Sequence, residues 1–231
     1  MVDVYYNNVS LNQLFNADGM TLWIEDITGR GLLSPDVTGV DYKGGDGGRF
    51  VSRRLPVREI TVSFAMFSCN LLDMQARLTH FLNIEQPSTI RFSDQVGYYT
   101  GIVSSVSLSD DKHTYCKGEL VFSCYDPYRY GEVTETRLDE TISIDTNCTI
   151  LPVFTFTATG KPSITVNGET LSIDKVLTGG VIDSQHNQVM DNGNNLLVSE
   201  VSGMFPRLRD VNHIETENIS EGSFRYLMRW L

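Results

Sequence analysis

Three arginines, Arg53, Arg54 and Arg58, follow closely on the glycine run Gly44-Gly45-Asp46-Gly47-Gly48. Backbone N–H groups exposed by glycine, together with guanidinium forks, are what a bound phosphate needs. The arrangement nevertheless fails as a phosphate cradle on two counts. Such cradles join a strand to a helix N-terminus, whereas this run leads toward the alternating segment Arg58–Phe67, and its central residue is the acidic Asp46. The glycines therefore read as a mobile connection or a tight reversal, and the arginines as either plain surface charge or interface residues.

Other candidates for chemistry are weaker. His80, His113, His186 and His213 are far apart, and none has a partner at helical metal-binding spacing. Neither a G-x-S-x-G elbow nor a phosphate loop ending in Lys-Ser/Thr occurs. Asp110 and Asp111 lie between Ser109 and Lys112 in a polar stretch that reads as a hairpin turn, where aspartate is ordinary. The run Asp191-Asn192-Gly193-Asn194-Asn195 offers oxygen ligands for calcium, but it lacks the longer acidic series and closing glutamate. A hairpin tip is the better reading. The chain thus reads as a non-enzyme with no catalytic, cofactor-binding or metal-ligating residue and no cofactor.

Composition narrows the class. Eighteen basic against twenty-nine acidic side chains leave a formal charge of -11, which argues against holding nucleic acid by phosphate neutralisation. No membrane-spanning apolar run and no signal segment are expected. The cysteines Cys69, Cys116, Cys124 and Cys148 form no CxxC and read as buried thiols, Cys124 foremost because it falls in phase with Leu120 and Phe122.

The elements that must carry these residues follow from periodicity. Ile60, Val62, Phe64 and Met66 alternate with Glu59, Thr61 and Ser63, as in a strand with one buried face. Residues 70–82 form a helix with Asn70 as N-cap, Asp73 in the first turn, and Leu71, Met74, Leu78, Phe81 and Leu82 as its apolar stripe. Asn83 stops it. A short strand follows in STIRFSD, then two longer ones that reverse at Ser109–Lys112, with Ile102, Val106 and Leu108 sharing one face. One helix on antiparallel sheets is an α+β arrangement.

From about Gly131 the pattern changes to short apolar runs divided by the turn signals at 158–162, 166–169, 178–180 and 191–194. Hairpins are expected at 163–173 and 187–198, and the last strand should bury Phe224, Tyr226, Met228 and Trp230. An all-β sandwich or jelly roll results. The junction falls in PYRYGEVTETR, which sets domains at 1–131 and 132–231.

Several segments, taken in order, resemble the distal tail (Dit) proteins of long-tailed, non-contractile bacteriophages. They are WIEDITGRG, DGGRF before VREITVSFAMF, and ELVFSCYDPYRYG in the first half, then GGVIDSQHNQVMDNGNN, GMFPRLRDVNHIE and the ending Arg229-Trp230. Asp46, Gly47 and Arg58 match a recurring loop-and-strand pattern of that family, while Asp210 stands where relatives often carry glycine. The resemblance covers nearly the whole chain. It implies an N-terminal domain that closes into a hexameric ring and a C-terminal galectin-like sandwich on the outside. The implied partners are other copies of the chain, the tail tube protein, the tail-tip or tail-associated lysin protein, and a receptor-binding protein. DNA passes through the ring without specific binding and no membrane is entered. The implied place is the distal tail tip of the virion, assembled in the host cytoplasm. Arg53, Arg54 and Arg58 are then candidates for contacts between neighbouring subunits, Arg58 first. The alternative is a carbohydrate-binding sandwich used in attachment to the host wall.

Overall fold

A computed structural model describes residues 2–16, 19–67, 71–112 and 114–231. The chain divides into two compact units, one reaching to Arg129 and taking in Leu231, the other spanning Tyr130–Trp230. Most described residues lie in antiparallel strands.

In chain order the first unit contains β1 (Val4–Tyr6), β2 (Val9–Ser10), α1 (Leu11–Phe15), β3 (Thr21–Thr28), β4 (Asp36–Asp41), β5 (Gly48–Arg54) and β6 (Arg58–Phe67). It continues with α2 (Leu71–Leu82), β7 (Ser88–Phe92), β8 (Gln95–Lys112) and β9 (Tyr115–Cys124). β3, β6, β9 and β8 pair side by side, and β8 also pairs through its first part with β7, which pairs with β1. The expected alternation holds in β6, where Ile60, Val62, Phe64 and Met66 are all buried. Leu120, Phe122 and Cys124 of β9 face the same core. Tyr6 meets Phe122 edge-on at 5.2 Å.

α1, five residues long, is too short to show a helical period in the sequence. It is capped by Ser10, whose Oγ accepts from the Gln13 N–H at 2.9 Å, and it buries Leu11 and Phe15. In α2, Asp73 lies in the first turn, Leu78 is buried, and the Asn83 N–H closes the end on the Thr79 carbonyl. Asn70 lies outside the described residues, as do the side chains of Leu71, Met74, Phe81 and Leu82.

Two expectations for β8 are corrected. The strand runs through Asp110 and Asp111 to Lys112, which pairs with Tyr115, so the reversal comes later than Ser109–Lys112. The register also shifts between Val103 and Ser105. One extra residue in one strand changes which side chains face the core. Val103 and Val106 therefore pack on the core together, and Ile102 falls out of phase with them.

The second unit contains β10 (Arg129–Arg137), β11 (Thr141–Ser143), β12 (Val153–Val166), β13 (Glu169–Ile173), β14 (Leu177–Asp183), β15 (Gln188–Asp191), β16 (Leu196–Leu197), β17 (Val201–Gly203) and β18 (Val211–Trp230). β12 and β18 are its axis. The first part of β12 pairs with β14 and the later part with β13, while β18 accompanies both. The supposed turn at 158–162 is thus an irregularity inside β12, where register shifts between Ala158 and Ser163. Asn218 bends β18 opposite it, with φ 56, and donates from Nδ2 to the Lys161 carbonyl at 2.7 Å. Phe154 and Phe224 stack at 4.5 Å in the core, with Phe156 beside Phe154 at 5.7 Å.

The Asn167-Gly168 hairpin forms as expected, with φ 53 and 83. In the second hairpin the left-handed residue is Asn194 instead of the Asn192-Gly193 pair. Gly179-Gly180 is no turn but part of β14, paired with β12 and β15; glycine is needed at 180 because a Cβ there would come within 2.3 Å of the Met190 carbonyl oxygen. Fully buried Asn212 shapes the segment that contains Asp210. It accepts from the Arg209 N–H at 2.7 Å and donates to the Arg209 and Ile142 carbonyls at 2.8 and 3.1 Å.

Candidate interaction surface and the three arginines

The glycine run turns out to be the tip of a two-stranded arm. β4 and β5 pair only with each other, from Asp36↔Arg54 to Asp41↔Gly48, and every residue in both strands is exposed. Gly48–Arg54 mixes charged and apolar residues without a buried face, so its periodicity does not mark it as a strand. Register sorts the side chains. Gly39 pairs with Phe50 and Val37 with Arg53, so Val37, Phe50 and Arg53 share one face. Asp36, Thr38, Ser52 and Arg54 occupy the other. Val37 is 64% and Phe50 63% exposed, and Val40, Tyr42 and Val51 of the same arm are also exposed. A ribbon with nothing of its own unit beneath it gains no burial from these residues, and a lone two-stranded hairpin is marginal in water.

The three arginines separate. Arg53 projects with the apolar pair Val37 and Phe50. Arg54 lies 3.5 Å from Asp36 within the arm, an exposed pair of small energetic value. Arg58 lies elsewhere, and the expectation that it contacts a neighbouring subunit is corrected here. Only 1% of it is exposed. Its Nε donates to the Pro127 carbonyl at 2.8 Å, and its Nη1 to the Gly29 and Gly31 carbonyls at 2.8 and 2.7 Å. The guanidinium carbon stands 5.5 Å from the Tyr99 ring centre. A buried cation held by carbonyl oxygens and a ring face is an internal fastening.

What Arg58 fastens is the root of the arm. Gly29–Gly31 leaves β3 just ahead of β4, and Gly29 has φ +84. A Cβ there would fall 1.9 Å from the Glu59 carbonyl oxygen, so no other residue fits. Arg30 pairs with Asp94 at 2.7 Å and lies 4.8 Å from the Phe92 ring centre. The hydrogen bond from Arg30 holds the Asp94 carboxyl below its ordinary range. An exposed arm therefore springs from a fixed base.

The remaining candidates have ordinary roles. The Asp191 carboxylate accepts from the Asn195 backbone and side chain and from the Gly193 N–H, and it pairs with Lys175 at 3.3 Å. Those donors, the Asn195 backbone first, pull it down to about 2. The loop's main carboxylate is thus already taken by protein donors. His186 meets Asp183 at 2.7 Å across one turn. Among the described residues, no group of three or more His, Cys, Asp or Glu could hold a metal. No described helix is long and apolar enough to cross a membrane.

Cys116 and Cys124 are buried and Cys148 is half-buried, while Cys69 lies outside the described residues. Burial pushes the Cys124 thiol up to about 11, against the pull of nearby Arg58 and with a further push from Asp126. Phe224 and Tyr226 of the last strand are buried as expected, whereas Met228 and Trp230 are only half-buried, and the Trp230 Nε1–H donates to the Asp145 carbonyl at 2.9 Å.

No family model matches the chain. It is 29% identical to the distal tail protein of Bacillus phage SPP1 over 160 residues, 64% of this chain. That stretch spans 63% of the relative's own length. The crystal structure of SPP1 Dit, described as a paradigm of the hub adsorption apparatus in phages infecting Gram-positive bacteria, superposes with a TM-score of 0.76. The identity there is 16%, and all of both chains is covered. A chain of the phage P2 baseplate in its activated conformation aligns over 98% of this chain, with a TM-score of 0.42 and 10% identity.

Proposed function

We propose that this chain, which belongs to the distal tail protein family, is a structural hub at the tip of a long non-contractile phage tail, where its copies close into a ring. The β4–β5 arm carries the reading. It is a projecting ribbon whose Val37 and Phe50 are uncovered in the single chain. The likeness in fold over the whole length supports the same reading.

An arm that lies on the next copy makes a head-to-tail contact, and such contacts repeat until a ring closes. Each copy then covers its neighbour's arm. Arg53, beside the apolar pair, meets a carboxylate of the neighbour, for which a chain of net charge -11 has many to offer. Arg54 is tied to Asp36 within the arm and contributes less. By likeness to the family the ring has six copies, built by residues 1–131, with the galectin-like sandwich of 132–231 outside. The tail tube protein lies on one side and the tail-tip or tail-associated lysin protein on the other, with a receptor-binding protein attached. DNA crosses the hole without being held. The work is structural and involves no catalysis, and its place is the virion's distal tail tip after assembly in the host cytoplasm.

The test is the mass of the full chain in solution by light scattering, with negative-stain imaging of the same sample. Val37→Asp and Phe50→Ser should remove rings and leave the melting temperature of the single chain unchanged. Rings formed normally by the double variant would sink the assignment to the arm.

A further inference from the structure

A second surface lies on the other unit and does not depend on the arm. Along the row Asp183↔Val153↔Arg225, three strands place their side chains on the outward face of the sheet, away from Phe154 and Phe224. There a trough of about 280 Å³ is lined by Val133, Leu151, Val153, Gln185, Arg225 and Leu227, among others. Its walls are apolar and open: Val133 is 56% exposed and Leu151 is exposed as well.

Arg225 stands exposed in this trough without an ion-pair partner among the described residues. The nearest acidic position in its row, Asp183, is two strands away, and its carboxylate is already bonded to His186 and to the Gln185 N–H. Glu135, on the neighbouring β10, accepts from Ser223 at 2.7 Å. Arg229 also lines the trough and donates to the Thr149 carbonyl. In a chain with eleven more acidic than basic side chains, an uncompensated guanidinium over open aliphatic walls is a local exception. Guanidinium favours planar carboxylate recognition, and the walls gain only if an apolar group covers them.

We infer that this trough docks an extended acidic segment of a partner protein, with an aliphatic side chain between Val133 and Leu151 and a carboxylate on Arg225. Charge complementarity selects this occupant. A basic or purely polar segment would leave either the arginine or the aliphatic walls unsatisfied.

The experiment uses the full chain and fluorescein-labelled octapeptides read by fluorescence polarisation at low and at physiological salt. An alternating Glu-Leu peptide should bind. Replacing its Glu by Gln, or its Leu by Ser, should weaken binding at least tenfold, and Arg225→Glu in the protein should do the same without altering the melting temperature. Arg225→Lys should fall between. Equal binding by the Leu-to-Ser peptide, or by polyphosphate in competition, would replace a peptide site with a general anion site and overturn the inference. Failure of the Glu-Leu peptide to bind, or unchanged binding to Arg225→Glu, would overturn it too. Ring formation, measured in parallel on Arg225→Glu, should be normal. Loss of rings would assign the trough to contacts between copies instead.

Discussion

The Arg58 Nε and the Pro127 carbonyl oxygen are 2.8 Å apart although 69 positions separate the residues in sequence. The same guanidinium also holds Gly29 and Gly31. One side chain therefore joins the start of β6, the root of the arm and the segment that follows β9.

Removing that side chain takes the donor from three carbonyls in a partly buried place and leaves the cavity of a buried side chain. Arg58→Ala should destabilise the chain by about 3 kcal/mol, and Arg58→Met by about 2 kcal/mol because it restores some packing. Arg53→Ala and Arg54→Ala, on exposed strands, should each change stability by less than about 0.5 kcal/mol. Urea unfolding of the four variants checks the ranking. Equal effects at positions 53 and 58 would contradict the fastening.

Assembly should rank the arginines differently. Arg53→Glu reverses charge beside the apolar face of the arm and should abolish rings with the melting temperature unchanged. Arg54→Glu should reduce ring yield only modestly. Light scattering on both variants decides, and equal yields would remove the distinction between the two faces.

Gly29→Ala should be among the most damaging single changes in the first unit. Its Cβ would meet the Glu59 carbonyl oxygen at 1.9 Å in a left-handed backbone conformation, so β3 and β6 must separate locally. A loss of about 2 kcal/mol or more is expected by denaturant unfolding. Gly31→Ala, with nothing within 4 Å of the added atom, should be nearly silent.

Stability should fall in acid, and the sign follows from four carboxyls. Asp94, Asp174, Asp183 and Asp191 are all lowered by folding. At Asp183 burial pushes upward, but hydrogen bonds from His186 and Gln185 outweigh it. A carboxyl lowered by folding contributes stability above its unfolded value, near 3.9, and loses it as pH drops through the folded one. Melting temperature should be flat across neutral pH, then decline below about pH 4. Carboxyl chemical shifts should place the Asp191 midpoint at about 2.

Thiol chemistry offers a check on packing. Cys124 is buried, with its thiol held up to about 11, so it should resist iodoacetamide in the native chain and react on denaturation. Cys148, half-buried, should react before Cys116 and Cys124. Peptide mass spectrometry after timed labelling shows the order.

Local pattern fixed much of this protein. The period-two alternation of Ile60 to Met66 and of Leu120 to Cys124 dictates which faces are buried, because a strand cannot present both sets to one core. Asn167-Gly168 sets its hairpin through the backbone conformations it tolerates. Other features needed partners distant in sequence. The Val103 register shift, the bend of β12 at 158–162 and the extended Gly179-Gly180 exist because a neighbouring strand imposes them. Arg58 shows the same limit most plainly. Its sequence neighbours suggested one charged patch with Arg53 and Arg54, but tertiary structure brings Gly29, Gly31 and Pro127 around it and leaves Arg53 on an open arm. A side chain's charge is written in the sequence, but whether it faces water or a ring of carbonyls is decided only when remote segments meet.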